Sequence, residues 1–182
     1  MLKAATSRKP VTFFDVLRYA AGYWRRQPRK LAVVLTLLAT AALLETYLPT
    51  ALSNFLGAIR QERPHDEIIF ALSIFLGGYF IHVLIQSAAY LIYNVFETHI
   101  FKQVLDDSFS YLYHLPERFF VNTFAGSLIS KISRARQKIE TFEDRILLSM
   151  FSTSLILIGT MGFLALRFPM LALIMLGYLI FL

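Results

Sequence analysis

Long apolar segments that carry almost no charge constrain this chain more than any other feature of its sequence. The segments are 31–59, 68–96, 146–166 and 168–182. Glu45 is the only charged side chain within them, and His82 is the only histidine. A bilayer core about 30 Å thick needs about 20 apolar residues of helix, and the first three segments are long enough. Because such continuous, non-alternating runs can span lipid only as helices, the sequence predicts an all-α membrane protein.

The composition argues against an ordinary soluble enzyme. Hydrophobic residues make up 57% of the chain and charged residues 16%, whereas a soluble domain has about 45–50% and about 25%. The net charge of +6 is concentrated in residues 1–30, which hold eight Lys and Arg residues and one acidic residue, whereas the charges of the other 152 residues sum to −1. No basic patch interleaved with aromatic residues occurs, so nucleic acid is not an expected partner. The absence of cysteine excludes disulfides, thiolate metal sites and a cysteine nucleophile.

The basic residues of the connecting segments predict the topology. Eight Lys and Arg residues lie in 1–30, two in 60–67, seven in 97–145 and one at Arg167. Connections rich in Lys and Arg stay on the cytoplasmic side of a membrane. We therefore expect the N-terminus and segment 97–145 in the cytoplasm, in a multi-pass protein of the bacterial inner (plasma) membrane.

The same pattern predicts how the chain is divided. The predicted units are a cytoplasmic N-terminus with an amphipathic elbow helix (1–30), a first transmembrane helix (31–59), a short external loop (60–67), a second transmembrane helix with a cytoplasmic extension (68–115), a tip (116–126), a return helix that continues as the third transmembrane helix (127–166), an external turn (167–169) and the start of a fourth transmembrane helix (170–182). The fourth apolar segment is too short to complete a membrane crossing, so we expect the chain to be the first part of a longer protein or a truncated product.

The segment before the first apolar run has the pattern of an interfacial helix. Thr12 and Asp15 form a capping-box-like start, and Phe13, Leu17 and Ala20 recur on one face. Aromatic and basic residues favour the headgroup level of a bilayer. The side chains expected at the membrane surface are Trp24, Arg25, Arg26, Arg29 and Lys30. The alternative is a simple positive-inside anchor without further function.

Two helices are predicted to form a hairpin that projects from the membrane. A helix over 68–115 would be about 70 Å long at 1.5 Å per residue, roughly twice the hydrocarbon core. The return segment keeps a heptad spacing of apolar residues from Leu128 to Ser149. Phe119, Phe120 and Phe124 would then lie at the end of the hairpin, where clustered aromatic residues indicate an interface. A coiled-coil spacer is the alternative interpretation.

Polar side chains on the transmembrane helices are candidates for a substrate path. A stripe at helical spacing on the second helix consists of Tyr79, His82, Gln86, Tyr90 and Tyr93, and Thr40 and Tyr47 share a face of the first helix. Polar residues inside a membrane face a cavity or a partner. The alternative is that they form hydrogen bonds between packed helices. For His82 we expect a hydrogen bond rather than a metal.

Several of these features together resemble a known family. The first helix has a proline, Pro49, in its outer half, and a short outer loop leads to the long second helix. A sequence motif follows, and its matching residues are Leu115, Pro116, Phe119, Phe120, Gly126, Leu128, Ser130, Lys131 and Ile132. The chain resembles the N-terminal part of the transmembrane domain of ABC exporters of the six-helix, intertwined-dimer type. It departs from the pattern at Ala135, where an Asp is frequent.

The resemblance implies an activity and partners. It implies that 116–125 is a coupling helix that docks on a nucleotide-binding domain, which is absent from this chain and would bind ATP and Mg. The implied docking residues are Arg118, Phe119, Phe120, Thr123 and Phe124. The other implied partners are the lipid bilayer, a second transmembrane subunit, as a homodimer or a heterodimer, and a transported substrate that the sequence does not identify.

The residues themselves predict no catalytic, cofactor or metal site within the chain. No Gly-Lys pair occurs, so a phosphate-binding G-x-x-x-x-G-K-[ST] loop is excluded. Two other classes stay open. One is a multi-span sensor that signals through the hairpin, although the loop at 60–67 is short for a ligand domain. The other is a membrane-embedded enzyme, for which Asp106 and Asp107 are the candidate carboxylates.

Overall fold

The computed structural model describes residues 12–114 and 125–181, and within these residues the chain is helical and has no strand. The helices are α1 (Phe13–Trp24), α2 (Pro28–Arg60), α3 (His65–Tyr113), α4 (Ala125–Glu143), a π-helical segment (Asp144–Met150), α5 (Phe151–Arg167) and α6 (Pro169–Phe181). The predicted all-α class is therefore confirmed.

Local sequence accounts for both ends of α1. The backbone N–H of Thr12 donates to Asp15 Oδ2 at 3.0 Å, which satisfies a donor that the first turn of a helix leaves unpaired. The helix ends at Trp24, and α2 starts at Pro28. Proline is favoured at this first position because its fixed φ suits a helix and it has no N–H to satisfy.

Helices α2 and α3 form an antiparallel pair joined by a tight turn. Glu62 takes a positive φ of 49° in this turn, and Pro64 precedes α3. The buried side chains of α2 include four alanines, Ala41, Ala42, Ala51 and Ala58. Small side chains let two helix backbones approach closely, so α2 and α3 pack along much of their length.

Helix α3 is far longer than a membrane crossing. Its 49 residues correspond to about 73 Å at 1.5 Å per residue, against about 30 Å for the hydrocarbon core. The 17 residues from Glu97 to Tyr113 follow its uncharged segment and extend it by about 25 Å. Helix α4 packs beside this extension, where the Arg136 guanidinium lies 4.9 Å from the centre of the Phe101 ring.

The chain from α4 to α5 is one long helical segment with a change of geometry inside it. Asp144–Met150 is π-helical, between the α-helical geometry of α4 and of α5. A π-helix widens the turn and marks functional positions in many proteins. Farther along, α5 contacts α2 so closely that a Cβ atom at Gly159 would lie 3.0 Å from Thr46 Oγ1. A larger residue at position 159 would therefore require Thr46 to shift by a few tenths of an ångström.

The buried core lies where α1, α2, α3 and the π-helical segment meet. It comprises Tyr23, Val34, Leu38, Ala89, Tyr93, Phe96, Ile100, Val104 and Leu147. Large apolar side chains elsewhere on the long helices are exposed, as Phe80 (64%) and Leu91 (68%) illustrate. In the described part of the chain, three helical segments are long and apolar enough to span a membrane, namely Pro28–Arg60, His65–Tyr113 and Leu128–Arg167. The fold is thus consistent with an integral membrane protein.

Candidate functional site

Polar side chains converge where α1 meets α3 and the start of the π-helical segment. Ala20 and Tyr23 are the buried residues of α1, and they direct that helix toward α3. The indole N–H of Trp24 donates to Glu143 Oε1 at 2.7 Å, across 119 residues of sequence. This is a short hydrogen bond to a carboxylate, the stronger kind of protein hydrogen bond. It fixes α1 to the end of α4.

Glu143 has an environment that is rare for a carboxylate. Its side chain is 0% exposed, and among the described residues its second oxygen, Oε2, has no hydrogen-bond partner. Glu97 on α3 likewise has a buried oxygen without a partner in this part of the chain. A buried polar atom without a partner costs about 1–3 kcal/mol. Gln27 and Gln103 also carry buried side-chain atoms without a partner in the described chain, but Glu143 is the one of these residues that adjoins the π-helical segment.

A hydrogen bond from α3 holds Asp144, the first residue of the π-helical segment. The hydroxyl of Tyr93 donates to Asp144 Oδ1 at 2.9 Å, and Tyr93 itself is only 1% exposed. Tyr93 therefore connects the buried core of α3 directly to the residue at which the helix geometry changes. The α3 backbone and the start of the π-helical segment cannot separate without breaking this bond.

A second contact joins α1 to the extension of α3. The hydroxyl of Tyr23 donates to Asp107 Oδ2 at 3.1 Å, and Arg26 Nη1 lies 3.0 Å from the same oxygen. The Arg26 guanidinium also stacks 4.7 Å from the centre of the Tyr23 ring, a cation–π geometry. Together, Tyr23, Trp24 and Arg26 with Asp107 and Glu143 form what we call the α1 clasp.

The electrostatics of the clasp keep Tyr23 protonated. Burial raises the pKa of the Tyr23 hydroxyl well above its ordinary value, and the neighbouring Tyr19 and Asp107 raise it further. The hydroxyls of Tyr19 and Tyr23 are 3.0 Å apart. Tyr23 consequently remains a hydrogen-bond donor to Asp107 at neutral pH.

The structure separates the predicted substrate-path residues into two groups. His82 and Tyr93 are buried, and His82 Nδ1 lies 3.1 Å from the carbonyl oxygen of Ala41. Because a carbonyl only accepts, Nδ1 carries the proton in this contact. The more exposed group consists of Tyr79, Gln86, Tyr90, Thr40 and Tyr47. Tyr47 also lines a groove of about 630 Å³ between α2 and α3, near their connecting turn. Their role in transport stays a prediction.

The residues predicted for the membrane surface also differ in their surroundings. Trp24 and Arg26 turn toward the α1 clasp. Arg25 and Arg29 are exposed, and Lys30 is partly exposed. Contact of these five side chains with lipid stays a prediction. The implied docking residues Arg118, Phe119, Phe120, Thr123 and Phe124 lie outside the described residues, and of the predicted tip at 116–126 only residues 125 and 126 are described, as the start of α4.

Sequence reasoning overlooked Glu143, and it considered Asp107 only as a candidate carboxylate of a membrane-embedded enzyme. Charged residues are almost never fully buried unless paired, so Glu143 was not an expected core residue. The only sequence signal is the adjacent pair Glu143–Asp144 just before the third apolar segment. Within the residues that the structure covers, no group of three or more His, Asp or Glu side chains is arranged to hold a metal ion.

Comparison with known proteins does not assign the chain to a family. No protein-family model, curated protein or solved structure matches it. The exporter hypothesis therefore depends on the sequence motif and on the arrangement of the helices.

Proposed function

We propose that this chain is the membrane-spanning part of an ATP-driven exporter of the six-helix ABC type. One observation carries the proposal. Helix α3 continues about 25 Å beyond its uncharged segment, and α4 returns beside it into the helix that contains α5. A simple membrane anchor needs no such extension. A transporter that is driven by a domain outside the membrane needs a stiff helical connection between that domain and its membrane helices.

The α1 clasp attaches α1 to α3 and to the end of α4. In this proposal α3 and α4 form a hairpin whose tip, 116–126, docks on a nucleotide-binding domain. That domain supplies the ATP and Mg chemistry. Because Trp24 binds to Glu143 near the base of the hairpin and Tyr23 binds to Asp107 about 15 Å along the α3 extension, displacement of the tip would move α1 and the membrane helices as a rigid body. Alternating access would follow from this movement in a pair of such subunits.

The transport path would use the polar side chains of α2 and α3. Exposed Tyr79 and Tyr90 on α3 and Tyr47 on α2 lie on helices that are otherwise apolar. Tyr47 and Asn54 line the groove of about 630 Å³, which is within the range of small-molecule pockets. We propose that these side chains contact the exported molecule.

The hairpin tip provides the decisive experiment. In the full-length protein with its nucleotide-binding domain, F119A/F120A should reduce ATP-driven transport and substrate-stimulated ATP turnover together. Burying each aromatic ring in the domain is worth about 1.5–3 kcal/mol. Nucleotide binding, expression and membrane insertion should persist. The measurement is ATP turnover and uptake into inside-out vesicles.

A matched control removes two aromatic residues from the shaft of the same hairpin. Phe109 and Tyr111 on α3 are exposed, so F109A/Y111A tests the loss of aromatic surface away from the tip. The control should retain transport and coupled turnover. Wild-type transport by F119A/F120A would contradict the coupling proposal. An equal loss of transport in F119A/F120A and F109A/Y111A would also contradict it, because the effect would then not be specific to the tip.

A further inference from the structure

A groove on α1 faces away from the rest of the protein. It has a volume of about 710 Å³ and is lined by Phe14, Leu17, Arg18, Ala21, Gly22 and Arg25. At 100° per residue this face is opposite the one that carries the buried Ala20 and Tyr23. The clasp therefore holds one face of α1 against the protein and leaves the groove open on the other.

Two basic side chains of the groove are available to an anion. Within residues 12–114 and 125–181, Arg26 forms the ion pair with Asp107, whereas neither Arg18 nor Arg25 forms an ion pair. Both side chains are exposed. The positive charge of this face is thus not neutralised by an acidic side chain of the described chain.

Gly22 leaves a gap between the two arginines. Residues 18, 22 and 25 lie on successive turns of one face, and about 10 Å of helix axis separates 18 from 25. A Cβ atom at Gly22 would meet nothing within 4 Å. Helical side chains lean toward the N-terminus, so Arg25 extends back toward the gap, whereas Arg18 lies at its N-terminal edge and lines the same groove. Two guanidinium groups beside a cleft form a suitable cradle for a phosphate group.

The apolar side of the groove narrows the choice of ligand. Phe14 is 73% exposed, and it lies with Leu17 and Ala21 along the edge of the basic cleft. The ligand must therefore carry a phosphate next to hydrocarbon. The position of α1 agrees with this requirement, because only three residues separate its end from α2, whose uncharged segment starts at Leu31.

We propose that this groove binds the headgroup of an anionic phospholipid. The lipid phosphate lies between Arg18 and Arg25 above Gly22, and the first part of the acyl chains lies over Phe14 and Leu17. The site differs from the membrane-surface set predicted from sequence. It includes Arg18, which that set lacks, and it excludes Trp24 and Arg26, which the clasp engages.

Spin-labelled lipids test the site in the reconstituted protein. The bilayer is phosphatidylcholine with a minor fraction of phosphatidylglycerol, and the measured quantity is the preference of the protein for labelled phosphatidylglycerol over labelled phosphatidylcholine. R18Q/R25Q should lower this preference by up to about 30-fold, the change expected when two interfacial charge contacts of about 1 kcal/mol each are lost. G22L should lower it similarly, although both arginines remain, because the leucine fills the cleft.

Two controls separate a built site from general charge attraction. K131Q/R134Q removes the same charge from exposed positions of α4, and G77L adds the same side chain at a glycine whose Cβ would also meet nothing within 4 Å. Both should keep the wild-type preference. An equal loss in K131Q/R134Q, or an unchanged preference in G22L, would show only diffuse attraction and would overturn the proposal. Circular dichroism melts verify that every variant is folded.

Discussion

Replacement of Gly159 by alanine should disturb the packing of α5 against α2. The added Cβ would lie 3.0 Å from Thr46 Oγ1 and 3.2 Å from Thr46 Cγ2, which is closer than the optimal separation of about 3.5–4.0 Å between carbon atoms. Thr46 cannot turn away easily, because its side chain is β-branched and its hydroxyl donates to the Ala42 carbonyl at 2.9 Å. The two helices must therefore move apart by a few tenths of an ångström.

The expected magnitude follows from two opposing terms. Overpacking of this kind costs about 1–3 kcal/mol, whereas replacing glycine by alanine inside a helix contributes about 0.5–1 kcal/mol in favour of folding. Gly162, one turn farther along α5, supplies the control, because a Cβ atom there meets nothing within 4 Å. G162A thus measures the helix term alone. G159A should be less stable than G162A by about 1–3 kcal/mol.

A second substitution assigns the effect to one contact. T46A removes both close atoms and leaves a Cβ at 3.5 Å from the added one, which is ordinary contact. In the T46A background, G159A should therefore behave like G162A, and the double-mutant cycle should give a coupling free energy of about 1–3 kcal/mol.

Thermal unfolding of the detergent-solubilised protein, followed by circular dichroism, measures these differences. In a chain of this size about 1 kcal/mol corresponds to roughly 2–4 °C in Tm. Equal Tm values for G159A and G162A would refute the reasoning. The same loss with and without Thr46 would also refute it, because the cost would then arise elsewhere.

Three further predictions concern the α1 clasp. W24F keeps an aromatic ring but removes the N–H that binds Glu143, so the free energy of unfolding should fall by about 1–3 kcal/mol; an unchanged Tm would mean that water replaces the donor. R26Q should cost less than about 1 kcal/mol, because the pair with Asp107 is about half exposed; the loss should be seen as a lower Tm at low salt and should vanish at high salt. In the folded state the pKa of Tyr23 is raised above the ordinary 10.0, so the unfolded state loses this proton first and stability should fall as the pH rises above about 10. In denaturant titrations at alkaline pH, the free energy of unfolding of Y23F should fall less steeply with pH than that of the wild type. An identical slope of this free energy against pH would contradict the raised pKa of Tyr23.

Sequence patterns were sufficient for the elements of the fold and insufficient for the contacts between them. The uncharged segments predict the long helices because a run of apolar residues has no other solution in lipid. Thr12 and Asp15 predict the start of α1, since a capping box acts over three residues, and the structure has this hydrogen bond. The hydrogen bond expected for His82 is also present.

The α1 clasp could not be predicted, because it depends on tertiary placement. Trp24 and Glu143 are 119 residues apart, and nothing local distinguishes Glu143 from the exposed charged residues of α4. The change to π-helical geometry at Asp144 leaves no mark in the apolar spacing, which continues through it.

We expect the π-helical segment to let the chain tolerate the loss of one residue there. A π turn contains one residue more than an α turn, and one residue corresponds to about 100° of rotation in an α-helix. Deletion of one residue from an α-helix therefore rotates all later side chains of that helix by about 100° relative to the helices that it contacts. Loss of one from Asp144–Met150, for instance the exposed Met150, would instead restore α geometry while α4 and α5 keep their present neighbours. Gene variants shorter by one codon here would preserve the architecture, whereas the same deletion in the middle of α3 would destroy it.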